Sequence, residues 1–149
     1  MIIVENNILP IPGFYAMTIY PFIFVRKNVN PSNSPGAEKR REQMLNHEFI
    51  HGAQQLDFFI ISLIISAIVN TAGCLLFACS LLTLIMGLLI PLIAFYIVYG
   101  LNYLINIIRG CDDPYKEIVF EREAYSNDLN FEYLKTRKWT DIFKYIKKK

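Results

Sequence analysis

Charge is the first thing this sequence lacks. From Phe58 to Ile108, a run of 51 residues, there is no Asp, Glu, Lys, Arg or His. Cysteine is scarce as well: three residues, an odd number, make no disulfide framework and fit a reducing compartment. Charged residues are only 19% of the chain against 54% hydrophobic, which excludes a disordered chain. The net charge of +2 excludes a polycation, so no nucleic-acid partner is expected. With 149 residues there is room for one domain, 1–149, and one extra element.

That extra element is the charge-free run. A membrane-spanning helix needs about 20 apolar residues, so the segment 58–108 reads as an inserted transmembrane hairpin with two crossings. Its turn is expected between Asn70 and Thr83, which places Gly87 and Pro91 inside the second helix, where a membrane tolerates them. A buried hairpin in a soluble protein is disfavoured, because too little chain remains to cover it. Five Lys and Arg precede the run and ten follow it. The positive-inside rule then puts both termini in the cytoplasm. Glu5, Pro10 and Pro12 argue against a cleavable signal at the N-terminus. Cys74 and Cys79 read as packing residues, and Cys111 as a solvated loop thiol.

The remaining chain predicts an α+β fold that is mostly helical. Phe14–Thr18 and Phe22–Lys27 are β-branched and aromatic with Pro21 between them, which predicts a small antiparallel sheet or hairpin. Asn28–Gly36 reads as a loop. Ser34 as N-cap and Pro35 as first helical residue start a helix. That helix continues through Met44, Leu45, Phe49, Ala53 and Leu56 into the apolar run. Near the end, Trp139, Ile142, Phe143 and Ile146 beside Lys144 and Lys147–Lys149 predict an amphipathic helix that either lies on an anionic leaflet or docks on the domain.

Both histidines of the chain fall in one pattern, His47-Glu48-Phe49-Ile50-His51. Two histidines four apart share a helix face and are spaced to hold one Zn²⁺. Glu48, turned about 100° from His47, can reach a water beside the metal without ligating it and act as general base. A catalytic zinc takes three protein ligands and keeps one position open. With no third histidine, the third ligand must be a carboxylate or a cysteine, and Phe120-Glu121-Arg122-Glu123-Ala124-Tyr125 offers two candidates, Glu121 and Glu123. Either reaches His47 only if the apolar run returns to the side it left, and two crossings do that. On their own, Arg122 and Glu123 read as solvated helix-surface charges.

HEFIH followed about seventy residues later by FEREAY resembles the gluzincin zinc metallopeptidases. The likeness is nearest to the integral-membrane group that includes the CAAX prenyl proteases and to the minimal minigluzincins. It also looks like small bacterial proteins with a β-hairpin, HExxHxxQQ and a PFEREAY-type motif, which Gln54-Gln55 and Thr18–Lys27 match. The resemblance implies His47, His51 and Glu121 as ligands of one zinc per chain and Glu48 as general base. The family's aspartate after the alanine, which orients a ligand histidine, is Tyr125 here; Asp128 or Glu123 is the candidate replacement, and Tyr125 a candidate donor to a developing oxyanion. It further implies a peptide or protein substrate added as a strand to part of Thr18–Arg26. The expected function is a membrane-anchored zinc metallopeptidase with a cytoplasmic active site. The alternative is an inactive or latent peptidase-like membrane regulatory protein.

Overall fold

The computed structural model describes residues 1–27, 36–77 and 81–146. The predicted loop 28–35, with the Ser34–Pro35 helix start, and Lys147–Lys149 lie outside the described residues. Strands β1 (Ile2–Asn6), β2 (Ala16–Ile19) and β3 (Phe22–Arg26) precede helices α1 (Ala37–Phe77), α2 (Leu81–Ile108), α3 (Val119–Asn127) and α4 (Tyr133–Thr136), and a 3₁₀ segment (Trp139–Tyr145) ends the fold. The architecture is the expected α+β: mostly helical, with a small sheet and a two-helix hairpin.

The sheet is mixed. β2 and β3 form the predicted antiparallel hairpin, with Ala16 opposite Val25. β1 adds to the far side of β3 in parallel, with Ile2 opposite Phe22. A parallel partner twenty residues downstream of its mate leaves no local turn signal, so the pattern around Pro21 shows the hairpin alone. The order β1-β3-β2 makes β2 an edge strand, and its inner face packs on α1. Ala16, Ile23 and Val25 meet Met44, Leu45 and Phe49 there.

α1 is one continuous helix of 41 residues, about 60 Å long. Its first half lies under the sheet and its second half, from Phe58, is half of the apolar hairpin. α1 and α2 are each long and apolar enough to cross a membrane. α1 ends at Phe77 and α2 begins at Leu81; residues 78–80, within the window expected for the turn, lie outside the described residues. Pro91 sits inside α2. A proline has no N–H to give the carbonyl four residues back, here Gly87. The Ser66 hydroxyl of α1 donates to that carbonyl at 2.7 Å, so the lost bond is replaced across the hairpin. A Cβ at Gly87 would run into the Asn70 amide of α1, so a side chain there would have to displace Asn70. Cys74, expected to be a packing thiol, is disulfide-bonded; Cys111 is free and half-buried.

α2 returns the chain to the sheet's side of the hairpin. There Asn102 accepts from the Val119 backbone N–H at 2.7 Å and so starts α3. The Asn106 amide donates to the Pro114 carbonyl at 3.1 Å and fixes the connection. Phe95, Ile118, Phe120 and Ile142 form the second core, with Phe58 and Tyr99 against it. The predicted C-terminal amphipathic helix is a 3₁₀ turn instead. Ile142 docks in that core, while Trp139 and Phe143 stay more than half exposed.

Candidate metal centre

His47 and His51 lie one turn apart on α1, where Glu121 of α3 meets them. Oxygen Oε2 of Glu121 stands 3.3 Å from Nε2 of His47, and Oε1 stands 3.2 Å from Nε2 of His51. The two imidazole Nε2 atoms are 3.1 Å apart. Ligand atoms bound tetrahedrally at about 2.0–2.1 Å, the bond length of imidazole nitrogen to zinc, are about 3.3 Å from each other. Each imidazole faces its own oxygen of Glu121, and each of the three separations is close to that of two donors held by one ion. Glu121 is 1% exposed, and among the described residues its Oε2 has only the His47 imidazole opposite it, at 3.3 Å. A buried carboxylate whose two oxygens each face an imidazole nitrogen is a donor set that a cation can satisfy. His47, His51 and Glu121 thus form a buried group that could hold a metal ion.

In the metal-free chain these groups pair with one another. Burial alone would push the His51 imidazole down, but the hydrogen bond and negative charge of Glu121 outweigh it and raise its pKa to about 9. Burial alone would push the Glu121 carboxyl up; hydrogen bonds from His47 and His51 hold it well below the ordinary carboxylate range instead. The carboxylate is also pinned from the hairpin, because the Tyr99 hydroxyl donates to Oε1 at 2.6 Å.

Glu48 is held beside this candidate metal group by the edge strand. The Thr18 hydroxyl lies 2.8 Å from Glu48 Oε2 and 3.0 Å from its backbone carbonyl. Gln55, two turns along α1, closes the end of that strand: its Nε2 donates to the Thr18 carbonyl at 2.8 Å, and its Oε1 accepts from the Tyr20 N–H at 2.8 Å. The Arg26 N–H donates to the Tyr15 carbonyl. In this register, then, Tyr15, Met17 and Ile19 bond to β3, while the backbone groups of Ala16 and Thr18 point to the open edge. The edge borders a cavity of about 780 Å³ that also takes in His47, Glu48, Glu121 and the aromatic rings of Phe95 and Tyr99.

On α3 and at its C-cap, Glu121, Tyr125 and Asp128 fall at i, i+4 and i+7 and share the face toward His47. The Tyr125 ring packs edge-on against His47 at 4.6 Å; burial raises its phenol pKa, with the charge of Glu121 adding to it, so it stays protonated. Asp128 Oδ2 lies 4.0 Å from His47 Nδ1 and accepts from Gln43 at 3.1 Å. Of the two candidates for the position the sequence leaves vacant at 125, Asp128 stands nearest His47. Glu123 is not a solvated surface charge. It is fully buried, bound by Arg137 at 2.6 Å, Tyr133 at 2.8 Å and Gln54 at 2.9 Å. Thr18, Tyr99 and Gln43 carry no motif and are found only through their contacts.

Comparison of the chain with protein-family models, curated proteins and solved structures finds no match.

Proposed function

We propose that this chain is a membrane-anchored zinc metallopeptidase. The observation that carries the reading is the convergence of the His47, His51 and Glu121 donor atoms within 4.8 Å of one another, with Glu48 lining the same cavity. The gluzincin resemblance of HEFIH and FEREAY supports it. Zinc, when bound, supplies a lowered pKa to water and polarises a peptide carbonyl. The chain's own groups do the rest. Glu48 accepts the proton from water and returns it to the leaving amine. Thr18 occupies one Glu48 oxygen and leaves the other for that proton. Tyr125, protonated and on the cavity wall, is placed to donate to the oxyanion.

The open edge of β2 suits an extended peptide, which would bond to Ala16 and to the Thr18 N–H and stop at the Gln55 amide that already holds the Thr18 carbonyl. The distribution of Lys and Arg argues for both ends of the chain and the site on the cytoplasmic face. The disulfide of Cys74, near the far end of the hairpin, fits an oxidising compartment on the other side. Trp139 and Phe143 border a hollow with Asp57 and Ile61, where the charge-free run begins. Such aromatic residues belong at the headgroup level.

The test is metal content and cleavage of a mixed peptide library by the full chain in lipid nanodiscs, followed by mass spectrometry. One zinc per wild-type chain is expected, with loss of zinc in His51→Ala and in Glu121→Ala. Glu48→Gln should keep the zinc and lose cleavage by at least about 100-fold. Full cleavage by Glu48→Gln overturns the mechanism. Zinc without cleavage, with Glu48→Ala leaving the cellular role intact, selects the inactive regulatory alternative.

A further inference from the structure

His51 has a second nitrogen, and what it touches is buried, polar and fully committed. Nδ1 of His51 lies 2.8 Å from Oε1 of Gln54. The amide nitrogen of Gln54 donates to the Phe120 carbonyl at 3.0 Å and to Oε2 of Glu123 at 2.9 Å. Neither partner can donate, so both hydrogens of that nitrogen are used and the Gln54 amide has only one possible orientation. Its oxygen must face His51, and an oxygen can only accept. The proton of a neutral His51 is therefore fixed on Nδ1, which leaves the Nε2 lone pair facing Glu121 and His47.

Gln54 is itself anchored. Glu123 holds it and is bound in turn by Nε of Arg137 at 2.6 Å, and Arg137 reaches across to Asp57 of α1 at 2.6 Å. Gln54 is 1% exposed, so no water competes for these positions. The chain of contacts runs Asp57, Arg137, Glu123, Gln54, His51, and it ties the segment after α4 to the candidate metal centre.

We infer that Gln54 is a positioning residue of the metal centre, held by the buried Glu123–Arg137 pair, and that it fixes the His51 tautomer so that Nε2 is the ligating nitrogen. This rests on the metal reading above. Partners of this kind, on the far nitrogen of a ligand histidine, typically govern affinity by about 10- to 100-fold.

The experiment compares wild type with Gln54→Met, which keeps the volume and removes the acceptor. Zinc dissociation constants are measured on the full chain in nanodiscs by competition with a chromogenic chelator. Because the chain has only two histidines, ¹⁵N-histidine spectra of the zinc-loaded protein carrying a histidine-free tag read each ring directly. The expected result is a wild-type His51 with its proton on Nδ1 and zinc on Nε2, and an affinity about 10- to 100-fold weaker in Gln54→Met. A purely structural Gln54 would lower the thermal midpoint and leave the dissociation constant unmoved. Should Gln54→Met not fold, the wild-type spectrum still decides: zinc on Nδ1 of His51 overturns the inference. A Gln54→Met dissociation constant within threefold of wild type overturns it while leaving the metal reading standing. A wild type that takes up no zinc overturns both.

Discussion

The hydroxyl of Thr18, on the edge strand, is bonded at 2.8 Å to the Glu48 carboxylate on α1, so one side chain sets both the strand position and the direction of the proposed general base. Thr18→Val keeps the shape and deletes the bond. It should lower kcat for a cleaved library peptide by about 10- to 100-fold, the scale of a misplaced catalytic group, with zinc content unchanged. Thr18→Ser should restore most of the rate. A Thr18→Val enzyme with wild-type kcat would separate the base from the strand.

The metal-free protein should have a stability profile of its own. His51 is raised from 6.5 to about 9 in the folded chain, so its contribution is full below pH 6.5 and disappears as the pH rises through 9. Glu121 is lowered from 4.5, so its contribution is present above that value and is lost on acidification. Thermal unfolding in the presence of chelator should therefore be most resistant between about pH 5 and 6.5 and weaken toward pH 9. Zinc needs the unprotonated imidazole, so the stabilisation it adds should grow over that same interval. Parallel profiles with and without zinc would contradict the shared site. In His51→Ala the alkaline loss should be absent.

Much of this arrangement is legible in the residues, and the reasons are specific. The 51-residue gap in charge is a bulk property and specifies the hairpin without further information. His47 and His51 are read from their spacing alone, because helix periodicity is local. Glu121 is read only by combining that spacing with the return of the hairpin. The parallel strand β1 and the burial of Glu123 are not legible, because each depends on a partner far along the chain. Glu123 needs Arg137, fourteen residues on and beyond α4, and an Arg in a Lys-rich tail carries no mark of burial. Within the charge-free run the polar exceptions were informative in retrospect: Ser66, Tyr99, Asn102 and Asn106 each bond across to another element.

Ser66 tests how the hairpin tolerates Pro91. Its hydroxyl is bonded to the Gly87 carbonyl that the proline leaves free. Ser66→Ala should destabilise the hairpin by about 0.6 kcal/mol, the average for interhelical hydrogen bonds in membranes, and by no more than about 1.7 kcal/mol, measured by detergent-titrated unfolding. The double variant Ser66→Ala/Pro91→Ala should recover stability, since residue 91 then supplies its own N–H. Gly87→Leu should do more damage than either, because Asn70 occupies the space. An unaffected Ser66→Ala would mean the Gly87 carbonyl finds another donor.

Arg137 offers the sharpest test of the domain's polar core. Its side chain is 5% exposed and lies 2.6 Å from both Glu123 and Asp57, with Glu123 wholly out of water. Breaking a buried pair from one side strands a charge, so Arg137→Met should cost about 3–5 kcal/mol. Removing the stranded charge as well, in Arg137→Met/Glu123→Gln, should return a good part of that loss, although Asp57 stays unpaired. Arg137→Lys should fall between, since an ammonium cannot span both carboxylates with the guanidinium's fork. The measurement is thermal unfolding of the zinc-free proteins, which keeps the metal out of the comparison. If Arg137→Met unfolds within about 0.5 kcal/mol of wild type, as an ordinary surface substitution would, the buried pair does not hold α3 to α1.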